Sequence, residues 1–156
     1  WVGTASGILT NVTITANLSV AGNASVVAAA LHGRFSPALP FFDQNAAIPV
    51  PAGPATGTGC QILLTTTNPQ DLLFYSCGIK GPLANIVTPF GWELIANTQH
   101  PNAYLMVAQR LTGAAQTNLA VSPSMSDNHQ DTSLGDAVNG GGTPGIIPFS
   151  PLTGFR

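Results

Sequence analysis

Asn11-Val12-Thr13-Ile14-Thr15-Ala16, Asn17-Leu18-Ser19-Val20-Ala21-Gly22 and Asn23-Ala24-Ser25-Val26-Val27-Ala28 are three consecutive blocks built to one plan. Asn opens each block, a hydroxyl residue stands third (Thr13, Ser19, Ser25), and Ile14, Val20 or Val26 stands fourth. A small residue, Ala16, Gly22 or Ala28, closes each block. A short fixed period makes every unit repeat the same local geometry. Six is even, so the repeat keeps step with the two-residue alternation of a strand. Ile8, Val12, Ile14, Leu18, Val20 and Val26 occupy even positions and are apolar, whereas Asn11, Thr13, Thr15, Asn17, Ser19, Asn23 and Ser25 at odd positions are small and polar. That pattern predicts β-structure with one buried face.

Fully extended, residues 8–31 would span ~80 Å at about 3.3 Å per residue, and the apolar face then needs partners. Copies of the chain wrapped around a shared axis would supply them, as would a β-solenoid or a hairpin turning at Gly22-Asn23. Three blocks are few for a solenoid, and assembly with other chains suits the short repeat better. The six even-position residues are therefore the expected assembly face. The blocks also spell Asn-x-Thr/Ser at Asn11, Asn17 and Asn23, the acceptor pattern for N-glycosylation. The repeat itself accounts for these triplets, because it needs a turn-tolerant Asn and a β-favouring hydroxyl residue. In a secreted protein, these three would be the glycosylation sites.

Composition points the same way. Only 6% of the 156 residues are charged, four basic and six acidic, against about 25% in an average soluble domain. A surface made of Thr, Ser, Asn, Gln, Gly and Ala suits packing against copies of itself better than life as a free monomeric enzyme. Arg34, Lys80, Arg110 and Arg156 are too few and too scattered to form a phosphate-binding stripe, so nucleic acid is not an expected partner. No apolar run approaches the ~18 residues of a membrane span. The chain begins at Trp1, without Met or a visible signal peptide, and reads as a processed product. Seventeen Gly and 13 Pro among short Thr-, Val- and Ile-bearing runs indicate an all-β protein rich in turns.

Beyond the repeat segment (1–31), a Pro- and Gly-rich neck covers 32–59, with a short strand expected at 47–50. A head follows over 60–156. Its expected strands are 61–66, 72–77, 83–88, 92–96, 103–111 and 117–122, an arrangement that suggests a β-sandwich or jelly roll. Residues 123–145 are polar and Gly-rich and are expected to be flexible. If 61–66 and 72–77 form a hairpin around Thr67-Asn68-Pro69-Gln70-Asp71, then Cys60 and Cys77 face each other near its open end. A disulfide is reasonable there, the alternative being two buried thiols.

Sites of chemistry are sparse. His32, His100 and His129 lie far apart without ligand-type neighbours, so no metal site is expected. Ser126-Asp127-Asn128-His129-Gln130-Asp131 is the densest polar cluster. Asp127, Asn128 and Asp131 suggest calcium, but the loop lacks the Asp-x-Asp-x-Asp-Gly spacing and reads better as solvated. Ser124, His129 and Asp136 contain the residue types of a catalytic triad without a nucleophile-elbow motif. Gly140-Gly141-Gly142 lacks the Lys of a phosphate loop. No catalytic residue and no cofactor is expected. Trp92 and Tyr104 have aromatic faces suited to a sugar ring. Trp92 sits in an apolar strand and is expected in the core, whereas Tyr104, beside Asn102 and His100, remains the candidate ligand contact.

Asn17-Leu18-Ser19-Val20-Ala21-Gly22-Asn23-Ala24-Ser25-Val26 resembles the shaft repeats of bacteriophage tail fibres and spikes. Pro89-Phe90-Gly91-Trp92-Glu93-Leu94-Ile95 and the following Tyr104-Leu105-Met106-Val107-Ala108 resemble a strand pair of β-sandwich domains in phage virion proteins. The first likeness covers about twenty residues. The chain departs from the fibre pattern in having few repeats and no attachment domain before them. The resemblance implies a homotrimer on the virion surface whose tip binds host glycans or proteins. The reading is thus a non-enzymatic, self-assembling virion protein, a tail fibre, spike or head fibre. The alternative is a secreted extracellular filament or surface-layer subunit that donates residues 8–31 to a neighbour's sheet. A monomeric carbohydrate-binding module would leave the repeat unexplained.

Overall fold

A computed structural model describes residues 40–57, 59–81 and 85–139. The hexad blocks, with the expected assembly face and the three Asn-x-Thr/Ser sites, lie outside the described residues, as does the Gly140 to Phe149 tail. The described part is all-β. Nine strands are formed: β1 (Val50–Gly57), β2 (Ile62–Leu64), β3 (Asp71–Lys80), β4 (Ile86–Val87), β5 (Glu93–His100), β6 (Ala103–Leu111), β7 (Leu119–Val121), β8 (Ser124–Met125) and β9 (His129–Asn139).

Five of them make one antiparallel sheet in the order β1-β9-β3-β6-β5. β3 is its centre, paired along its length with β6 (Leu72↔Leu111 to Lys80↔Ala103) and with β9 (Asp71↔Asn139 to Lys80↔Gln130). Alternation places Leu73, Tyr75, Cys77 and Ile79 on one face of β3, and register places Tyr104, Met106 and Ala108 of β6 beside them. All seven are buried. Two short ribbons, β2-β7 and β4-β8, form the opposing layer. Ile62, Leu64 and Val121 are buried in the shared core, with Leu119, Ile86, Met125 and Trp92 packed against it. The result is sandwich-like, with one broad sheet and a narrow, divided second layer. Burying each large apolar side chain stabilises the fold by roughly 1.5–3 kcal/mol.

Four expectations need correction. First, 61–66 and 72–77 do not form a hairpin. β2 pairs with β7 (Ile62↔Val121, Leu64↔Leu119), and β3 belongs to the other layer. The turn between them carries the chain from one layer to the other. Second, Cys60 and Cys77 are joined in a disulfide with Cα atoms 5.8 Å apart, and this bond ties the two layers together instead of closing a hairpin. Third, the stretch expected to be flexible contains β8 and the eleven-residue β9, an inner strand of the sheet. Fourth, the neck contributes β1, an eight-residue edge strand that extends well past the expected 47–50.

Local chemistry explains β1 and β9. β1 reads Val-Pro-Ala-Gly-Pro-Ala-Thr-Gly, and Pro is tolerated in a sheet only where no ladder N–H is required, as at an edge. The pairing slips between Ala52 and Ala55, at Gly53-Pro54. Gly53 has φ +98°, and a Cβ there would stand 2.6 Å from the Asp131 carbonyl oxygen. β9 turns Asp131, Ser133, Gly135 and Ala137 towards the core. Small residues are needed because β2 lies directly on them. A Cβ on Gly135 would meet Ile62 Cδ1 at 2.3 Å and Leu64 Cδ2 at 2.7 Å. Tyr75 fills the centre of the core; its hydroxyl donates to the Cys60 carbonyl, and its ring meets Trp92 edge-on at 6.0 Å.

Candidate functional site

The face of the large sheet turned away from the core is chemically different. Row by row, register sets Val138, Leu72 and Leu111 together, then Asp136, Phe74, Gln109 and Glu93, then Leu134, Ser76, Val107 and Ala96, then Thr132, Gly78, Leu105 and Thr98. Both short ribbons pack on the opposite side. Leu134 is 45% exposed and Leu111 48%, while Phe74, Val107 and Leu105 are half-buried. Outward Leu, Val and Phe side chains that stay partly exposed on one face of a five-stranded sheet form the kind of patch that marks an interaction face. Charge on it is limited to Glu93, Asp136 and Lys80, and Gln109 Nε2 donates to Glu93 Oε2 at 3.0 Å.

The two edges also differ. β1 is interrupted by Pro51, Pro54 and its bulge, so its backbone offers a poor template for a further strand. β5 carries neither Pro, Lys nor Arg and has no strand partner beyond β6 among the described residues.

At the end of the outer face where Gly78 leaves a gap lies an open hollow of ≈ 550 Å³, lined by Pro54, Lys80, Asn102, Leu105, Gln130 and Thr132 among others. Tyr104, the candidate ligand contact, also borders it. Its side chain points into the core and is only 8% exposed, so it offers little ring face to a sugar. Trp92 likewise packs on the core.

At the opposite end of the sheet, the segment before β1 is held beside β9. Asn139 N–H donates to the Phe41 carbonyl (2.9 Å) and Asp43 N–H to the Ala137 carbonyl (3.1 Å), and Phe42 bridges Val138. Asp43 is nearly buried and accepts an unusual number of bonds. They come from the backbone N–H groups of Asn45 (2.7 Å), Thr67 (2.8 Å) and Asn68 (2.9 Å), from the Thr67 hydroxyl (3.0 Å) and from Asn68 Nδ2 (2.8 Å). Burial pushes its pKa up, but the bonds from Asn45, Asn68 and Thr67 outweigh that and hold it below the usual carboxylate range. Asp71 lies next to it at the start of β3. It is fully buried, and no donor meets either of its carboxyl oxygens. Burial first, then the neighbouring Asp43 carboxylate, pushes the Asp71 carboxyl up to about 7, with Asn68 and Thr66 pulling the other way. Nothing in the sequence singled out this pair, since 28 residues separate its members. The only available hint was an Asp adjoining an apolar strand.

The residue types of a catalytic triad are not brought together. His129 and Asp136 sit seven positions apart on β9 and so face opposite sides of the sheet, about 23 Å apart along the strand. Asp127 and Asp131 of the calcium-like cluster also separate. Asp127 is exposed in the turn and lies 3.9 Å from His129 Nε2, whereas Asp131 is buried in β9. Among the described residues, no three His, Cys, Asp or Glu side chains are grouped to hold a metal ion, and no helix is long and apolar enough to cross a membrane. Comparison of the chain with protein-family models, with curated proteins and with solved structures finds no match in any of the three.

Proposed function

We propose that this protein is a non-enzymatic structural or adhesion subunit that assembles with copies of itself, as a tail-fibre, spike or head-fibre component of a virion. The observation that carries the reading is the two-faced sheet. One face is sealed by the β2-β7 and β4-β8 ribbons, and the other presents Phe74, Val107, Leu111 and Leu134 with few charges around them. The charge-poor composition and the hexad alternation at Ile8 to Val26 call for partners in the same way. The virion setting rests on the likeness of the repeat to fibre shafts.

Light scattering on the native protein, with intact-mass spectrometry on the same sample, tests this. A discrete trimer of unmodified chains supports it, and a monomer at all concentrations overturns it. Replacing Ile14, Val20 and Val26 together with Ser is expected to abolish assembly and leave the head folded.

A second reading, a secreted filament subunit, is favoured by the unguarded β5 edge. An extended segment of a neighbouring copy would add there as a sixth strand, with main-chain hydrogen bonds supplying the affinity. Open-ended polymers carrying sugar on Asn11, Asn17 or Asn23 would decide for it.

A further inference from the structure

We infer that Asp43 and Asp71 form a proton-sharing clasp that fastens the segment entering the head, residues 40–45, to the sheet and loosens as that proton is lost. The site is defined by everything that surrounds Asp71. Asp43 approaches from the entering segment, and Thr66 and Asn68 from the turn before β3. Asn139 of β9 is its register partner on one side. On the other side is Thr112, at the end of β6, whose N–H donates to the Asp71 carbonyl and whose hydroxyl accepts from the Asp71 N–H. Arg110, two positions back on β6, is half-exposed and makes no ion pair with either carboxylate. Thus two carboxyl groups lie together away from water, and no cation pairs with either among the described residues.

Two adjacent buried carboxylates cannot both remain ionised at low cost. Asp43 is the one that stays charged, because five donors already converge on its oxygens. The Asn68 and Thr66 side chains approach Asp71, but neither makes a hydrogen bond of good geometry to its oxygens, so as a neutral acid Asp71 becomes the donor itself, its O–H directed at Asp43. The proton then gives Asp71 a partner and spares the pair the repulsion of two charges. When it is lost, like charges face each other across the contact that joins residues 40–45 to the 66–68 turn. The sign follows: the folded state binds this proton more tightly than the unfolded chain, in which Asp titrates near 3.9. The stabilisation is complete below that value and disappears as pH rises through neutrality. The clasp belongs to the single chain and does not depend on the assembly reading.

The test uses the full chain and its Asp71→Asn variant, which keeps the size and cannot ionise. Thermal unfolding of the wild type is expected to shift down by several degrees between about pH 5.5 and about pH 8.5, and the variant is expected to lose that shift. Equal pH profiles overturn the clasp. Amide exchange locates the effect. Between about pH 4 and neutrality the Asn45, Thr67 and Asn68 amides should lose protection by up to about tenfold per pH unit in the wild type, beyond the intrinsic rise, and level off above it. Unchanged protection there overturns the proposal. Should Asp71→Asn fail to fold, carboxyl-carbon NMR of the wild type decides alone. An Asp71 midpoint close to neutral pH supports the clasp, and one in the ordinary carboxylate range overturns it. Millimolar calcium at high pH closes the last alternative. A rise in unfolding temperature would identify a metal site and overturn proton sharing, and no rise supports it.

Discussion

The two faces of the five-stranded sheet share the same backbone and the same strands, yet they carry different burdens. On the core face, Leu73, Tyr75, Cys77 and Met106 are completely enclosed. On the outer face, Phe74 and Val107, one position along the same strands, and Leu134 on the adjoining β9 stay partly open. Residues of similar hydrophobicity are thus divided by the presence or absence of a second layer. Stability resides on the enclosed face, because removing buried atoms leaves a cavity that neighbouring groups cannot fill. The outer face has neither ribbon packed over it.

The contrast is most sharply broken by truncation. Leu73→Ala is expected to cost about 2–5 kcal/mol in denaturant unfolding, as for other enclosed leucines. A cost near that of a surface substitution would mean the second layer is not packed as described. Next is the bond between the layers. Reducing the Cys60–Cys77 disulfide should cost about 3 kcal/mol, the loop-closure value for a loop of this length. Measuring the unfolding midpoint with and without reductant checks this. Gly135→Ala should cost about 1–3 kcal/mol, because its new methyl group would overlap Ile62 and Leu64. Pairing it with Leu64→Ala should recover part of the loss, and additive costs would show that the overlap is relieved elsewhere. The smallest effect on stability is expected on the open face. Leu134→Ser should stay within about 0.5 kcal/mol in the isolated chain. In the proposed assembly reading the same variant weakens association, measured as a lower mass at equal concentration. If it unfolds the chain instead, the outer face is not an interaction surface.

How much of this could be read from the chain depended on how plainly each strand declares its face. Residues 103–111 alternate Tyr, Met and Ala against Leu, Val and Gln, and the expected strand has the bounds of β6. Residues 72–77 and 92–96 were located, although β3 and β5 each extend several residues further. β9 was illegible because its core-facing residues are Asp131, Ser133, Gly135 and Ala137. A strand that lies beneath closely packed Ile62 and Leu64 has no room for large apolar side chains, so it reads as polar loop. β1 was obscured by Pro51 and Pro54, which an edge tolerates and an inner strand does not. For the site, the low charge on which the assembly proposal leans showed in composition. The Asp43–Asp71 pair could not show, since a carboxyl's partner across 28 residues is set only by folding.

By itself, then, the sequence determined the β character of the chain, its one-sided strands and its lack of charge, because strand periodicity and surface composition are local quantities. Only the tertiary structure decided which strands pair, that the Cys60–Cys77 bond links two layers, which face of the sheet is covered, and that two carboxyl groups meet out of water. Those outcomes depend on contacts between distant segments, where excluded volume and burial act on pairs of residues that no local pattern connects.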